Sequence, residues 1–391
     1  MRVLFLTHSF PRYEGDAAGS FVLRLATALA REGVEVRVIA PATVSAPAKA
    51  VIEGIPVSRF RYAPRRLETL AYEGNMASQV RASWGARLGL VGMLGAELGA
   101  AVGGWRARGQ NAELIHAHWW FPSGLVGAVA ARGAGVPLVT TLHGSDIRLA
   151  RSIAVSRPAL RQVMKRSARI TAVSNWLATA AQEMAGGDLP LVAPMPVAIE
   201  LFSPDLGVAR GDSLLFVGRL TVQKGVDLLL RALLLLPRQI GLDIVGDGDE
   251  QARLKALAQS IGVSDRVRWH GARPVNQLAP FYRAASVLVV PSEEEGLGLV
   301  AVEAQLCDTP VVAFASGGVV DVVQDGTSGV LVHERTADAL AQGIRSVLDR
   351  SDRGAALGRT GAARARDTFS PGSVARRYLT IYQDAVGSAA G

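Results

Sequence analysis

Short apolar runs alternate with helical patterns along the whole chain. Between the first two runs, residues 20–33 place apolar side chains at helical spacing and end at Gly33, a residue that commonly follows a helix. This alternation predicts βαβ units and parallel sheets. The predicted strands of the first half are residues 2–7, 35–40, 114–118, 138–143 and 169–174.

A proline-interrupted segment, residues 190–205, separates two halves of the same kind. The predicted strands of the second half are residues 213–218, 241–246, 267–272, 286–292, 310–314 and 329–332. At 391 residues the chain is long enough for two cores. We therefore predict an α/β protein with two Rossmann-like doubly wound sheets, residues 1–204 and 205–370, which face a central cleft. Ligands bind beyond the carboxyl ends of strands in such sheets.

Charge and cysteine content indicate which partners the protein binds and in which compartment it lies. Lysine and arginine number 42 against 34 acidic residues, a formal net charge of +8, so the surface should attract phosphates or anionic lipid. Aromatic residues make up 6% of the chain, and no zinc-finger or RNA-binding motif is present, so we expect no nucleic-acid partner. One cysteine, Cys307, and a first apolar run too short for a secretory signal predict a cytoplasmic protein.

Carboxylates lie on both sides of a glycine turn in PSEEEGLGLVAVEAQ, residues 291–305. The turn follows a predicted strand, and Gly296 and Gly298 allow close approach to the backbone. A helix that begins near Gly298 would direct unpaired N–H groups at a phosphate. Glu295 and Glu303 could accept hydrogen bonds from sugar hydroxyls, which suits a nucleotide-sugar. The alternative is an ordinary strand-to-helix turn with solvated glutamates.

This stretch resembles the signature of the retaining glycosyltransferases of family four (glycosyl transferases group 1), which have the GT-B fold. The resemblance rests on two glutamates with seven residues between them, within P-S-x-x-E-G-x-G-L-x-x-x-E-A. It implies that this segment binds the nucleotide-sugar donor through Glu295, Gly296, Leu297, Gly298, Leu299 and Glu303.

Other segments of the second half agree with the same family. VGRLTVQKG matches its G-R-L-x-x-x-K-G motif, which implies donor contacts from Gly218, Arg219 and Lys224. A guanidinium and a lysine there can neutralise charge on a departing diphosphate, although two solvated cations at a helix start are the alternative. Gly248 is expected near the nucleotide. The family's G-G-x-x-E motif is also matched, with Asp321 in place of the usual glutamate.

The first half matches the family more loosely. Gly19 resembles part of its glycine loop, although the usual adjacent glycine pair is missing. His116 and His118 end a predicted strand, and we expect them on opposite faces, with only His118 directed at the donor and the reacting centre. His143 and Asp146 follow the next strand and are expected on the acceptor side. Asp146 could equally cap the following helix.

We expect no metal and no cofactor. Asp247-Gly248-Asp249 forms a D-x-D triplet, which ligates metals in another transferase fold, but we interpret Asp249 as a helix N-cap. A zinc site using His116, His118, His143 and Cys307 would need ligands from distant segments without metal-binding spacing.

The resemblance implies a catalytic role for His118, Arg219 and Lys224. The implied reaction is transfer of a hexose, with retention, from a UDP- or GDP-sugar to a hydroxyl acceptor in polysaccharide or glycolipid synthesis. A catalytically inactive nucleotide-sugar-binding partner and a GT-B sugar epimerase are the alternatives.

We also predict the positions of two further segments. Residues 61–108 scatter arginines among apolar residues and could lie on anionic membrane at the inner face of the plasma membrane, or pack on the first sheet. Their most apolar part, 88–105, is broken by Glu97 and glycines and is predicted too short to cross a bilayer. Residues 371–391 resemble the terminal helix that returns to the first GT-B domain, and Asp308 is expected to end a helix by side-chain bonding.

Overall fold

The chain forms two compact units. The computed structural model describes residues 1–44, 46–72, 76–106, 111–205 and 207–390, except for the side chains of 104–106, 389 and 390. Unit 1 comprises Met1–Pro196 and Pro371–Gly391, and unit 2 comprises Val197–Ser370. Three parts of our predictions lie outside the described residues: 73–75 and 107–108 of the basic segment, and 391 of the terminal helix.

The division at 196 rather than 204 has a local cause. The Val197 amide donates to the Phe369 carbonyl at 3.0 Å. The Arg283 guanidinium donates to the Ser203 carbonyl at 2.7 Å, and the Phe202 ring packs edge-on against Tyr282. These contacts hold the segment after Pro196 against unit 2.

Unit 1 is built on an eight-stranded sheet. Its strands are β1 (Arg2–Leu6), β2 (Glu35–Pro41), β3 (Lys49–Ile52), β4 (Ile55–Phe60), β5 (Leu114–His118), β6 (Leu138–Leu142), β7 (Arg169–Ala172) and β8 (Leu191–Val192). Their order is β3-β4-β2-β1-β5-β6-β7-β8, and every pair is parallel except β3–β4. The five strands predicted from the sequence are all present.

Helices cover this sheet. They are α1 (Ser20–Arg31), α2 (Met76–Ala82), α3 (Trp84–Arg106), α4 (Leu125–Ala134), α5 (Ser145–Ser152), α6 (Arg157–Arg166) and α7 (Asn175–Ala185). α3 packs on β1, β2, β4 and α4, and its Met93 belongs to a core that contains Leu4 and Ile115. The prediction that the basic segment packs on the first sheet is therefore confirmed for α3.

Unit 2 repeats the architecture with six parallel strands. They are β9 (Ser213–Val217), β10 (Gly241–Val245), β11 (Val267–Gly271), β12 (Val287–Val290), β13 (Val311–Phe314) and β14 (Val330–Val332), in the order β11-β10-β9-β12-β13-β14. The helices are α8 (Val226–Leu234), α9 (Gln251–Ser260), α10 (Ala279–Ala284), α11 (Leu299–Leu306), α12 (Val319–Val322), α13 (Ala337–Leu348) and α14 (Ala355–Phe369). Two doubly wound parallel sheets were predicted, and both are present.

The last helix, α15 (Pro371–Ala390), belongs to unit 1. Its Tyr382 hydroxyl lies 2.7 Å from Nδ1 of His116, and its Tyr378 hydroxyl donates to the Ala193 carbonyl at 3.2 Å. Burial raises the pKa of Tyr378 to about 12, so this phenol stays protonated and can donate.

Two features differ from the prediction. β3 and β4 form an antiparallel hairpin that we did not predict, whose turn places Glu53 and Gly54 at φ of 47° and 82°. The prediction about the apolar segment was also wrong, because the glycines do not interrupt α3. Trp84–Gly103 is a helix long and apolar enough to cross a bilayer by length and composition, with a mean hydropathy of 1.3, although Glu97 is within it.

Candidate active site

Four loops converge at the carboxyl ends of the unit 2 strands. Gly225 lies so close to the Pro291 carbonyl that a Cβ would collide with it, so the loop after β9 packs against the loop after β12. A Cβ on Gly248 would collide with the backbone of Leu220, which brings in the loop after β10. A Cβ on Gly317 would likewise meet the backbone of Glu295, which adds the loop after β13. Glycine is required at these positions because backbones approach each other where side chains would otherwise lie.

Lys224 and Glu295 form an ion pair in this group of loops. The Lys224 ammonium lies 2.6 Å from Oε2 of Glu295, and each side chain is about one-fifth exposed. Nε2 of the Gln223 side chain donates to the carbonyls of Glu293 and Glu294 at 2.8 and 3.2 Å, and the Glu293 backbone amide donates to the Gln223 carbonyl. These contacts fix residues 218–225, the lysine loop, against residues 293–298, the glutamate turn. Two residues that the sequence placed 71 positions apart therefore meet.

Arg219 lies in the same lysine loop, one residue after Gly218. Its side chain is exposed and forms no hydrogen bond or ion pair with another described residue. Gly218 has φ of 154° and donates to the Val245 carbonyl at 3.0 Å, which ties this loop to the end of β10. The guanidinium is thus available for a ligand anion.

The glutamate turn leads directly into α11. Gly298 precedes the helix with φ of 87° and has no side chain to cap the first amides, as predicted for a helix start near this residue. Leu297 is buried, whereas Gly296 and Leu299 are half-buried. Since the first amides of any helix lack partners within the helix, a capless start can bind an anion. We call Arg219, Lys224, Glu295 and Glu303 the charged cluster.

Glu303 lies within α11 and is buried. Its Oε2 accepts a hydrogen bond from the Tyr282 hydroxyl at 2.7 Å. Burial and the neighbouring Glu303 raise the pKa of Tyr282 well above its usual range, so this hydroxyl remains a donor. The carboxylate is therefore held in one orientation by a side chain of α10.

Two local predictions in unit 2 were wrong. α9 begins at Gln251, and Glu250 occupies its N-cap position, so Asp249 precedes the cap and cannot fill it. Asp308 has φ of 58°, and its amide donates to the Gln305 carbonyl at 2.8 Å. α11 therefore ends because Asp308 itself adopts the left-handed conformation that glycine usually takes, rather than by side-chain bonding.

The two histidines of β5 share one face, which corrects our prediction of opposite faces. Side chains alternate along a strand, so residues two apart project to the same side. The rings of His116 and His118 lie 4.2 Å apart at 35°. His116 is bound on both nitrogens, to the hydroxyls of Tyr382 and Thr141 at 2.7 Å each. Its role is therefore structural.

His118 and His143 meet at the carboxyl ends of β5 and β6. Nδ1 of His118 lies 3.1 Å from Nε2 of His143, and the Trp119 and His143 rings are 4.4 Å apart. His8, at the end of β1, packs on Trp119 at 4.3 Å. Nε2 of His118 and Nδ1 of His8 are buried and have no hydrogen-bond partner. We call His8, His118, Trp119 and His143 the histidine cluster.

Burial keeps these histidines neutral. It lowers the pKa of His8 to about 4, and it lowers the pKa values of His118 and His143 well below the usual range. In the His118–His143 contact one nitrogen donates and the other accepts. The distal Nε2 of His118 is then either an acceptor or a donor toward a ligand hydroxyl.

Gly19 lies at the N-cap of α1, near the end of β1. It has φ of 66°, and a Cβ there would collide with the Ser9 carbonyl. Gly15, in the same loop, has φ of 85° but open space around it. Between them, Asp16 accepts two hydrogen bonds from the Arg12 guanidinium, at 2.6 and 3.0 Å. The loop is thus held in a defined shape next to the strand end.

Asp146 is bound to its own turn. Its Oδ1 accepts from the amides of Gly144, Ile147 and His143 at 2.9, 3.0 and 3.2 Å, and its Oδ2 accepts from the Trp120 amide at 3.3 Å. Burial raises the pKa of Asp146, while these four bonds oppose the rise. The alternative that Asp146 caps the following helix is wrong, because Gly144 occupies the N-cap position of α5 and Asp146 lies within the helix. The contacts instead orient the backbone that carries His143. An acceptor contact by Asp146 stays a prediction.

Sequence reasoning missed three residues of these sites: His8, Trp119 and Tyr282. His8 could have been found, because it follows a predicted strand just as His118 and His143 do. Tyr282 gave no signal, because its partner Glu303 lies 21 residues away on another helix. Among the described residues, no group of three or more His, Cys, Asp or Glu side chains could hold a metal ion.

Comparison with known proteins agrees with this architecture. Residues 206–364 match the family model of glycosyl transferases group 1, and residues 17–198 match that of a glycosyl transferase 4-like domain. A D-inositol 3-phosphate glycosyltransferase of Xylanimonas cellulosilytica is 33% identical over 95% of this chain and 93% of its own.

Two solved structures show the same fold. The sucrose-phosphate synthase of Thermosynechococcus elongatus has a TM-score of 0.83 and 24% identity over 99% of this chain and 100% of its own. Anabaena HepE in complex with UDP has a TM-score of 0.74 and 23% identity over 98% and 100%. The chain therefore belongs to the group 1 glycosyltransferases of family four and is an enzyme with the GT-B fold.

Proposed function

We propose that the protein transfers a hexose from a UDP- or GDP-sugar to a hydroxyl acceptor, with retention of anomeric configuration and without a metal ion. The observation that carries this proposal is the Lys224–Glu295 contact at 2.6 Å, in a group of loops that also contains Arg219 and the capless start of α11. Cationic side chains and helix amides can bind the diphosphate, and a nearby carboxylate can accept hydrogen bonds from sugar hydroxyls. Together they suit a sugar diphosphate.

The charged cluster would stabilise the leaving group. As the bond from the anomeric carbon to the diphosphate oxygen breaks, negative charge grows on that oxygen, and Arg219, Lys224 and the α11 amides neutralise it. Donor binding would draw the Lys224 ammonium from Glu295 toward the diphosphate. Glu303, oriented by Tyr282, would accept hydrogen bonds from hydroxyls of the donor nucleotide or its sugar.

Retention would follow from attack on the same face that the diphosphate leaves. The acceptor oxygen forms its bond to the anomeric carbon within a short-lived ion pair, and its proton passes to the departing diphosphate. His118 would contact the sugar through Nε2, which is buried without a partner in the protein. His143 would contact the acceptor.

The acceptor and the compartment are part of the same proposal. We propose a sugar or lipid-linked hydroxyl acceptor, used in the cytoplasm for polysaccharide or glycolipid synthesis. D-inositol 3-phosphate, named in a curated relative, is one candidate for the acceptor panel.

A transfer assay in the presence of EDTA tests the proposal. Purified protein is incubated with UDP- and GDP-hexoses and the acceptor panel, and NMR of the product identifies the anomer. The expected result is a product with the donor's configuration, formed at an unchanged rate with EDTA. An inverted product, or activity that EDTA abolishes, would overturn the mechanism.

The same assay separates the alternatives. Tight donor binding with neither transfer nor donor hydrolysis would identify a catalytically inactive binding partner. Conversion of the donor sugar to its epimer without transfer would identify an epimerase. Either result would replace the proposed reaction.

A further inference from the structure

One face of α3 leaves an apolar stripe in solvent. Trp84, Leu88 and Val91 are 77%, 72% and 67% exposed and lie at intervals of four and three residues. This spacing places them along one side of the helix, over about 10 Å at 1.5 Å per residue. Only 17% of Trp84–Gly103 is buried in the protein. Soluble surfaces scatter exposed apolar residues singly, so three such residues on one side of a helix indicate an interaction site.

The opposite face of α3 is anchored in unit 1. Met93, Glu97 and Ala101 are fully or almost fully buried at a spacing of four. A Cβ on Gly92 would collide with the Tyr62 carbonyl, so the helix backbone lies directly on the segment after β4. Spanning a bilayer would expose this core face and Glu97 to lipid. The helix can therefore contact a membrane only along its exposed side.

Arginines surround the N-terminal half of the stripe. The 3-10 turn Arg65–Leu67 packs next to α3 and exposes both of its arginines and Leu67, and α2 contributes Arg81. Arg87 lies over the Trp84 ring at 4.6 Å. In the described parts of 61–106, the acidic side chains are Glu68 and Glu97, and both are buried. Among the described residues of this segment, the exposed charge is therefore positive.

Charge selects the occupant. Protein–protein interfaces are depleted of charged residues at their core, whereas exposed arginines border the exposed apolar residues here. A helix side with exposed tryptophan and leucine, flanked by arginines, suits the headgroup boundary of a bilayer that contains anionic lipid.

We propose that the α3 stripe, defined as Leu67, Trp84, Leu88 and Val91 with Arg65, Arg66, Arg81 and Arg87, docks unit 1 on an anionic membrane surface. The helix lies in the interface with its apolar side in the headgroup boundary. This partner is independent of donor chemistry, because no residue of the stripe belongs to the histidine or the charged cluster.

Vesicle flotation tests the proposal on the full-length protein. Vesicles of phosphatidylcholine alone are compared with vesicles that also contain phosphatidylglycerol, at about 0.1 M and about 1 M salt, where the Debye length falls from about 10 to 3 Å. We expect the protein to float with the anionic vesicles at low salt and to be released at high salt. It should remain in the bottom fraction with neutral vesicles.

Two double variants separate the contributions of apolar and charged residues. Leu88→Gln/Val91→Gln replaces two exposed apolar side chains of the stripe, and Arg65→Ser/Arg66→Ser removes two of its positive charges. Each double variant should weaken the apparent vesicle affinity by about tenfold or more. Val155→Gln, at an exposed apolar residue of unit 1, and Arg31→Ser/Arg132→Ser, at two exposed arginines of α1 and α4, are the matched controls and should float like the wild type.

Three results would overturn the proposal. Flotation that is equal with neutral vesicles would remove the anionic specificity, and flotation that both stripe variants retain would place the contact elsewhere. A wild-type dimer in light scattering that Leu88→Gln/Val91→Gln dissociates would identify a subunit interface instead. Unchanged binding of UDP or GDP by the stripe variants, measured in parallel, shows that they are folded and keeps this test separate from that of the proposed reaction.

Discussion

The strand ends of the two units carry different chemistry on the same architecture. In unit 2 the loops present cations, carboxylates and glycines, with Lys224 and Arg219 still reached by solvent. In unit 1 the corresponding positions hold neutral histidines. His118 is buried, and the half-buried His8 and His143 pack on Trp119. A parallel sheet fixes where a site lies, whereas the loop residues decide what it binds. The charged cluster suits a diphosphate, and the histidine cluster suits uncharged hydroxyls.

The largest effect is expected in the charged cluster. Lys224→Ala removes a cation next to the developing diphosphate charge and should lower kcat by about 10²- to 10³-fold, by analogy with the loss of one oxyanion donor. Steady-state kinetics on the full-length protein measures it. Lys255→Ala, on α9 in the same unit, is the matched control and should keep kcat, since that lysine lies over Trp269 instead. Full activity in Lys224→Ala would contradict the assignment.

In unit 1, two glycines of one loop separate steric collision from backbone strain. Gly19→Ala and Gly15→Ala both force alanine to positive φ, which costs about 1–2 kcal/mol. Only Gly19→Ala also drives a Cβ into the Ser9 carbonyl. We therefore expect Gly19→Ala to lose about 3 kcal/mol of unfolding free energy in urea denaturation and Gly15→Ala about half of that. Equal losses would mean that the loop shape does not constrain Gly19.

The histidine cluster should make stability pH-dependent. His8 has a pKa of about 4 in the folded protein and 6.5 as its ordinary value. Between these values the unfolded chain binds more protons than the native state, so unfolding free energy falls as pH falls through this window. His8 alone should contribute a loss of about 2 kcal/mol between about pH 7 and about pH 5.

Urea unfolding at several pH values measures this dependence. His8→Asn should flatten the slope, because the titrating group is gone. His333→Gln, at an exposed position of unit 2, is the control and should keep the wild-type slope. A slope that His8→Asn leaves unchanged would show that His8 is not kept neutral by folding.

The smallest effect is expected from Tyr282→Phe. The variant removes the hydrogen bond to Glu303 without changing the ring, so the carboxylate loses one of the contacts that orient it. We expect KM for the donor to rise about tenfold with little change in kcat, since a hydrogen bond to a charged group is worth about 1.5 kcal/mol. Tyr378→Phe, which removes a buried hydroxyl of α15, controls for a general loss of packing. A fall in kcat with unchanged KM would contradict a positioning role.

Much of this difference between the units could be predicted from the sequence. Apolar runs at strand length predicted eleven strands, because buried parallel strands have few polar residues. The glutamate turn and the lysine loop were also predicted, because each motif is contiguous in the chain. Their contact depends on the topology, which places β9 beside β12.

Contacts made by packing alone could not be predicted. Tyr282 meets Glu303 only because α10 lies next to α11, and α3 leaves one side exposed only because its other side meets the sheet. The error at His116 and His118 had a different cause, since the two-residue period of a strand already places them on one face.

Nucleoside diphosphate binding tests the central claim most directly. Isothermal titration of UDP and GDP into the full-length protein, with EDTA present, is compared with the same titration of Lys224→Ala, Arg219→Ala and the Lys255→Ala control. We predict that one nucleotide binds, that the first two variants each weaken it by about tenfold or more, and that the control does not. Failure of both nucleotides to bind, or affinity unchanged in Lys224→Ala and Arg219→Ala, would contradict the account.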